Sequence, residues 1–307
     1  MRRRAISVCI LLAGFPLFTS DKLFASDKKR DPNEIGDRKV AGSLNRYSLE
    51  QELALGRQLA IEVQKQTKVV DDPIISEYIN RIGQNIARNS DVTFPVSFTL
   101  IEGDDVNAFT LPGGHVYINT GALRLSDNEA ELASVLAHEV GHAAARHATR
   151  QATRDDVLNM ATIPLILFGG WTGLAARQAV GIAGPLALFH FSQAFETEAD
   201  LLGVQYLWKA GYDPSASVDM FERIESTERR RPGSVAKLFR THPLTSDRIA
   251  KTQKNIDQLL PSRPSWVLNT SEYEDIRERL KQIAPERKAE DKNSNRPAVP
   301  TLRRLRD

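Results

Sequence analysis

The chain has a single cysteine, Cys9, among its 307 residues. Disulfide stapling is thereby excluded, and so is a metal site built from several thiolates. Any bound metal has to be held by histidine and carboxylate. A strong charge of one sign is missing too. The formal net charge is +2, and residues 1–25 hold four basic side chains against one acidic, which leaves the remainder slightly negative. Nothing in that balance points to nucleic acid. An internal repeat is also absent.

What is present suits a globular protein with a sizeable core, with 41% hydrophobic and 26% charged residues. At the N-terminus three arginines precede an uncharged apolar run, 5–18, that is short for a bilayer crossing. This reads as an export signal cut after Ala25, with an uncleaved anchor as the alternative. Cys9 comes very early and lacks the preceding small residue of a lipoprotein signal, so no lipidation is expected. The expected location is the periplasm or cell envelope. A polar, flexible lead-in follows over 26–44.

Two helices come next. Ser48 and Gln51 make a capping box for the first, and Asp72 with Pro73 starts the second. Residues 96–101 alternate as a strand. The run Asn107-Ala108-Phe109-Thr110-Leu111-Pro112-Gly113-Gly114 leads through a turn into a second strand, 115–119. The segment at 107–111 reads either as an ordinary hairpin arm or as an edge strand beside the active-site helix, where an extended peptide would add. Asn107, Ala108 and Phe109 are the candidate substrate-binding residues.

The stretch that organises the chain is His138-Glu139-Val140-Gly141-His142. It lies in 126–150, read as a single helix opened by a Ser126–Glu129 capping box. Residues four apart share a helix face, so His138 and His142 can grip one ion. Glu139, at the edge of that face, can reach a water on the metal without being a ligand itself. This is the HExxH pattern of zinc hydrolases. Catalytic zinc takes a third protein ligand. Glu196, on a helix predicted over 195–208, is the best candidate, and Asp200 lies one turn on, placed to orient a zinc-bound histidine. Glu198 points about 200° away from Glu196 and is rejected as a ligand. His147 is five residues beyond His142, about 140° off the ligand face, and is read as structural or surface. His242, before Pro243, is either a turn residue or a group facing the zinc. In the second case it stabilises the oxyanion or occupies the open coordination position at rest.

These residues carry a resemblance. HExxH at 138–142, the E-x-E-A-D run ending at Asp200, the Asn107-Ala-Phe-x-Leu-Pro-Gly-Gly segment and Thr241-His242-Pro243 are together similar to the zinc metalloproteases that include HtpX, CAAX-prenyl endopeptidases, OMA-type proteases and BepA-like periplasmic proteases. The similarity spans about 50–259. It implies a zincin-like, mainly α-helical (α+β) fold with a small antiparallel sheet, a Glu139 general base and acid, and unfolded or misassembled envelope proteins as substrates. The membrane helices of some branches and the repeats of others are not evident.

Domain boundaries follow. The catalytic domain is expected over 45–260, a helical extension over 261–284 and a disordered tail over 285–307. Within the catalytic domain, 157–195 carries one charged side chain between Asp156 and Glu196, that of Arg177. Prolines and glycines break it up, so apolar helices forming a lid or resting on a membrane surface are expected, with a membrane-spanning hairpin as the alternative. The competing functional reading is a non-proteolytic or latent zinc-binding chaperone that recognises hydrophobic segments of envelope proteins.

Overall fold

The computed structural model describes residues 28–42, 44–158, 191–230 and 242–293. Helix α1, Leu49–Gln66, starts in the expected capping box, with Ser48 and Gln51 bonding reciprocally. Helix α2, Pro73–Arg88, is capped by Asp72, whose side chain accepts from the backbone of Ile74 and Ile75. Its apolar stripe, Ile75, Tyr78, Ile79, Ile82 and Ile86, is wholly buried.

Three strands follow: β1 (Ser97–Ile101), β2 (Ala108–Leu111) and β3 (His115–Asn119). The sheet order is β1-β3-β2. β2 and β3 pair antiparallel, Leu111 opposite His115, while β1 and β3 pair parallel, Ser97 opposite His115. The sheet is therefore mixed, not wholly antiparallel as expected. The hairpin β2–β3 inserts so that β3 separates the two strands that precede it, and β2 takes an edge.

After a short helix α3, Thr120–Leu125, comes α4, Glu129–Ala144, the centre of the fold. Its cap is Asn128, accepting from Glu131 N, in place of the expected Ser126–Glu129 box. Ser126 instead donates to Ala122 O at the end of α3. Nor does α4 run on to residue 150. It stops at Ala145, and Arg146 takes a left-handed φ of 55°. Tertiary contacts hold that conformation: Arg146 bonds Glu52 at 2.5 Å and Tyr47 O at 2.9 Å. A new helix, α5 (His147–Leu158), then begins.

Helix α6, Gln193–Ala210, is capped by Ser192 at one end and by left-handed Gly211 at the other. It lies antiparallel against α4, and two glycines permit the approach. A Cβ on Gly141 would stand 2.9 Å from Ala199 O, and one on Gly203 would stand 3.2 Å from His138 N. Helices α7 (Ala216–Arg230) and α8 (Ser246–Leu259) close the far side, and α9 (Ser271–Asn293) packs Tyr273, Ile276 and Leu280 into the main core.

Two expected boundaries change. Residues 28–42 are docked, not a flexible lead-in: Arg38 is buried against Asp91 at 2.9 Å and Gln205 at 2.7 Å, with Ile35 and Val40 in the core. α9 continues past Pro285, so helix replaces the beginning of the expected tail. The export signal at 1–25, most of the apolar stretch 157–195 and the end of the tail lie outside the described residues. No described helix is long and apolar enough to cross a membrane.

Candidate metal centre

The close α4–α6 packing brings the two HExxH histidines to Glu196. Glu196 is in the first turn of α6, and the loop before α8 supplies His242. His138, His142, Glu196 and His242 each offer one donor atom, and all four atoms lie within 4.8 Å of one another. His142 Nε2 is 3.0 Å from His138 Nε2, and Glu196 oxygens are 3.4 Å from each of those nitrogens. His242 Nδ1 is 3.4 Å from His138 Nε2 and 3.1 Å from Glu196 Oε1. Corners of a tetrahedron with metal–ligand bonds of about 2.0–2.1 Å are about 3.3 Å apart. These separations of 3.0–3.4 Å, with a different Glu196 oxygen nearest each of the two HExxH histidines, bring three nitrogens and a carboxylate close enough to share a single tetrahedral cation.

The charge around the donors agrees. Burial works against the Glu196 carboxylate, but His242 and His142 hold it well below the usual range. On His138 burial opposes the charged form and is outweighed by Asp200 and Glu196, which raise it to about 10. The carboxylates thus demand a positive charge at this place, and a cation on Nε2 meets the same demand. Burial pushes His142 down to about 3, leaving the neutral imidazole that metal ligation requires.

Each of the two HExxH histidines has a polar neighbour behind it. His138 Nδ1 lies 3.0 Å from Asp200 Oδ1, so the structure brings these two expected site residues together. Arg248 from α8 grips Asp200 with two bonds of 2.8 Å, and its Nη1 reaches Glu196 Oε2 at 2.9 Å. Burial favours the protonated Asp200, and Arg248 overrides it and keeps the carboxylate ionised. His142 Nδ1 lies 2.9 Å from His147 Nδ1, and His147 Nε2 lies 3.1 Å from Glu198 Oε2. His147 is thus structural, as one branch of the sequence reading had it, and not at the surface. The 140° argument holds for a straight helix; the break at Arg146 swings His147 back beneath His142. Burial pushes His147 down to about 3.

Glu139 is buried at the edge of the donor cluster. The Thr110 hydroxyl on β2 lies 2.7 Å from Glu139 Oε2, and His242 Nε2 lies 3.5 Å from Oε1. A cleft opens in front. It is lined by His138, Glu139, His242 and Arg248 together with the apolar Val135, Val204, Met220, Phe221 and Ile224. Asn107 and Ala108 line it too. Phe109 does not: it stacks on Tyr117 at 5.2 Å in a separate apolar cluster. Thr110 and Arg248 are neighbours of the cluster that sequence reasoning passed over, and it weighed His147 and Glu198 without joining them as a pair.

A helix-borne histidine pair with an adjacent glutamate, completed by a carboxylate from a second helix beside a small sheet, defines a zincin-like metallopeptidase. Comparison with known proteins narrows this. Residues 73–256 match the model for Peptidase family M48. The chain is 32% identical over 222 residues to the beta-barrel assembly-enhancing protease of Yersinia pestis, covering 70% of this chain and 46% of that protein. It is 31% identical over 222 residues to the protein of the same name from Escherichia coli K12, covering 70% and 45%. It is 30% identical over 186 residues to the mitochondrial metalloendopeptidase OMA1 of Schizosaccharomyces pombe, covering 58% and 52%. The chain belongs to peptidase family M48, and it spans about half the length of these relatives.

Proposed function

We propose that the chain is a zinc-dependent endopeptidase acting on unfolded or misassembled proteins of the cell envelope. The observation that carries the reading is the cluster of His138, His142, Glu196 and His242 with Glu139 beside it at the wall of a cleft. His138, His142 and Glu196 would hold the ion; when bound, zinc supplies an acidified water and polarises the scissile carbonyl. Glu139 takes a proton from the attacking water and later passes it to the leaving amine. Thr110 orients one oxygen of that carboxylate and leaves the other facing the donor cluster.

The substrate lies in extended form along β2, past Asn107 and Ala108, as an added strand. Phe109 contributes its backbone there, since its ring packs away from the cleft. The apolar wall of Val135, Val204, Met220, Phe221 and Ile224 receives a substrate side chain. Unfolded proteins expose such side chains and extended backbone together, and folded proteins hide both. The relatives' names, beta-barrel assembly-enhancing protease and mitochondrial metalloendopeptidase, support peptide-bond cleavage, and the first supports a link to beta-barrel assembly. The charged, then apolar, opening of the sequence supports export.

The test uses casein as an unfolded substrate. The zinc-loaded chain should cut it, and Glu139→Gln should keep zinc while losing cleavage by about 10²–10⁴-fold. Full activity in that variant refutes the mechanism. A chain that keeps casein soluble but intact would favour the chaperone reading.

The position of His242 supports a latent form of the same enzyme. Its Nδ1 stands at the fourth corner, where a water has to bind for hydrolysis. In this reading His242 must leave before turnover, so His242→Ala raises casein cleavage. A fall would assign it to stabilising the oxyanion.

A further inference from the structure

His147 lies outside the HExxH stretch and does not line the cleft, yet its surroundings are built with unusual care. It is 0% exposed and lies at the first position of α5, where the break at Arg146 delivers it. Its ring stacks on Phe195 at 4.4 Å between centroids, with an 18° interplanar angle, which fixes its plane. One ring nitrogen faces a histidine and the other a carboxylate: Nδ1 is 2.9 Å from His142 Nδ1, and Nε2 is 3.1 Å from Glu198 Oε2. Glu198 is tied in turn by Arg150 at 3.0 Å and by Lys29, from the docked N-terminal segment, at 2.6 Å.

The protons in this chain can be placed by elimination. An ionised carboxylate only accepts, so His147 Nε2 carries the hydrogen it donates to Glu198. A histidine that gives its Nε2 lone pair to an ion keeps its hydrogen on Nδ1, so His142 Nδ1 donates and His147 Nδ1, 2.9 Å away, is bare and accepts. One proton thus lies between the rings, where two bare nitrogens at 2.9 Å would set lone pair against lone pair. His142 Nε2 is then left with its lone pair, aimed at Glu196 and His138.

We infer that His147 is a positioning residue for the metal: backed by Glu198, it holds His142 in the tautomer and orientation that present Nε2 to the ion. Most metal-bound histidines give their free N–H straight to a carboxylate, a carbonyl or water. Here an imidazole is inserted between ligand and carboxylate. The inference rests on the proposed role of His142 as a ligand, and it adds that the left-handed turn at Arg146 serves the metal site, not merely the chain path.

The test reads tautomers and zinc affinity, not proteolysis. In the zinc-loaded full chain with ¹⁵N-labelled histidine, NMR should find His142 protonated on Nδ1 and His147 on Nε2. Finding His147 protonated on Nδ1 overturns the inference, and this reading needs no variant to fold. Competition with a chromophoric chelator should then show His147→Leu binding zinc about 10–100-fold more weakly. His147→Asn, whose side-chain oxygen can stand near the place of Nδ1, should recover part of that loss. The melting temperature without zinc should stay close to that of the unmodified chain in both. Equal affinity in His147→Leu and the unmodified chain also overturns the inference. An unmodified chain that binds no zinc overturns the metal reading itself.

Discussion

His138 and His142 sit one helical turn apart on α4 and receive opposite kinds of support. His138 borders the cleft and is backed by a charged pair, Asp200 and Arg248, both buried. His142 faces the interior, under Phe191 stacked at 4.2 Å, and is backed by a neutral imidazole, with the carboxylate of Glu198 one group further off. The difference follows from location. At the cleft, Arg248 serves two carboxylates at once, neutralising Asp200 and Glu196. In the core, a carboxylate directly on His142 would need its own cation in an apolar setting. Moving it one imidazole outward places it where Lys29 and Arg150 can reach it.

The two sides should fail differently. The largest effect is expected from Arg248→Met, which leaves Asp200 and Glu196 buried without their cation. Loss of about 3–5 kcal/mol is expected by urea unfolding in a metal chelator. The pH dependence should change with it. Asp200 is held below its ordinary value, so its contribution is present above the usual carboxylate range and is lost as pH falls through the lowered folded value. Without Arg248 that loss should begin at higher pH, seen as an upward shift of the acid-unfolding midpoint. An unchanged midpoint would mean that the pair does not set the charge of Asp200.

Asp200→Asn tests the cleft side alone. It removes the charge behind His138 and should weaken zinc binding by about 10–100-fold. If zinc affinity is untouched while His147→Leu lowers it, the interior side carries the site. Gly141→Ala acts on both sides, because a Cβ 2.9 Å from Ala199 O pushes α4 from α6. A loss of about 1–3 kcal/mol is expected by thermal unfolding, with weaker zinc binding alongside. The smallest effect belongs to Lys29→Ala. Its pair with Glu198 is partly exposed, so within about 1 kcal/mol of the unmodified stability is expected. A larger loss would make the N-terminal segment a structural part of the metal site.

The part of the site legible in the sequence is the part set by helical spacing. His138, His142 and Glu139 lie within one turn, and Glu196 and Asp200 within another, so periodicity alone assigns their faces. Helix starts at Ser48 and Asp72 were legible for the same reason, since caps are local chemistry. What escaped depends on contacts across long stretches of chain. Arg248 meets Asp200 across 48 residues, and Thr110 meets Glu139 across 29. The parallel β1–β3 pairing is likewise nonlocal. The break at Arg146 has no local signal of glycine or proline; Glu52 and Tyr47, brought in by α1 and the segment before it, impose it. Because the break was missed, so was His147 as the neighbour of His142. The rejection of Glu198 as a ligand agrees with its place in the structure, since it points away from the donor cluster and toward His147.

The central claim is that His138, His142 and Glu196 hold one ion, with His242 at its fourth corner in the latent form. X-ray absorption at the zinc edge tests it most directly, on the loaded chain and on His242→Ala. The account predicts a shell of about four nitrogen and oxygen atoms at about 2.0–2.1 Å. Imidazole scattering should drop by one ring in the variant while the zinc stays bound. A six-coordinate shell, or imidazole scattering unchanged in His242→Ala, would contradict it.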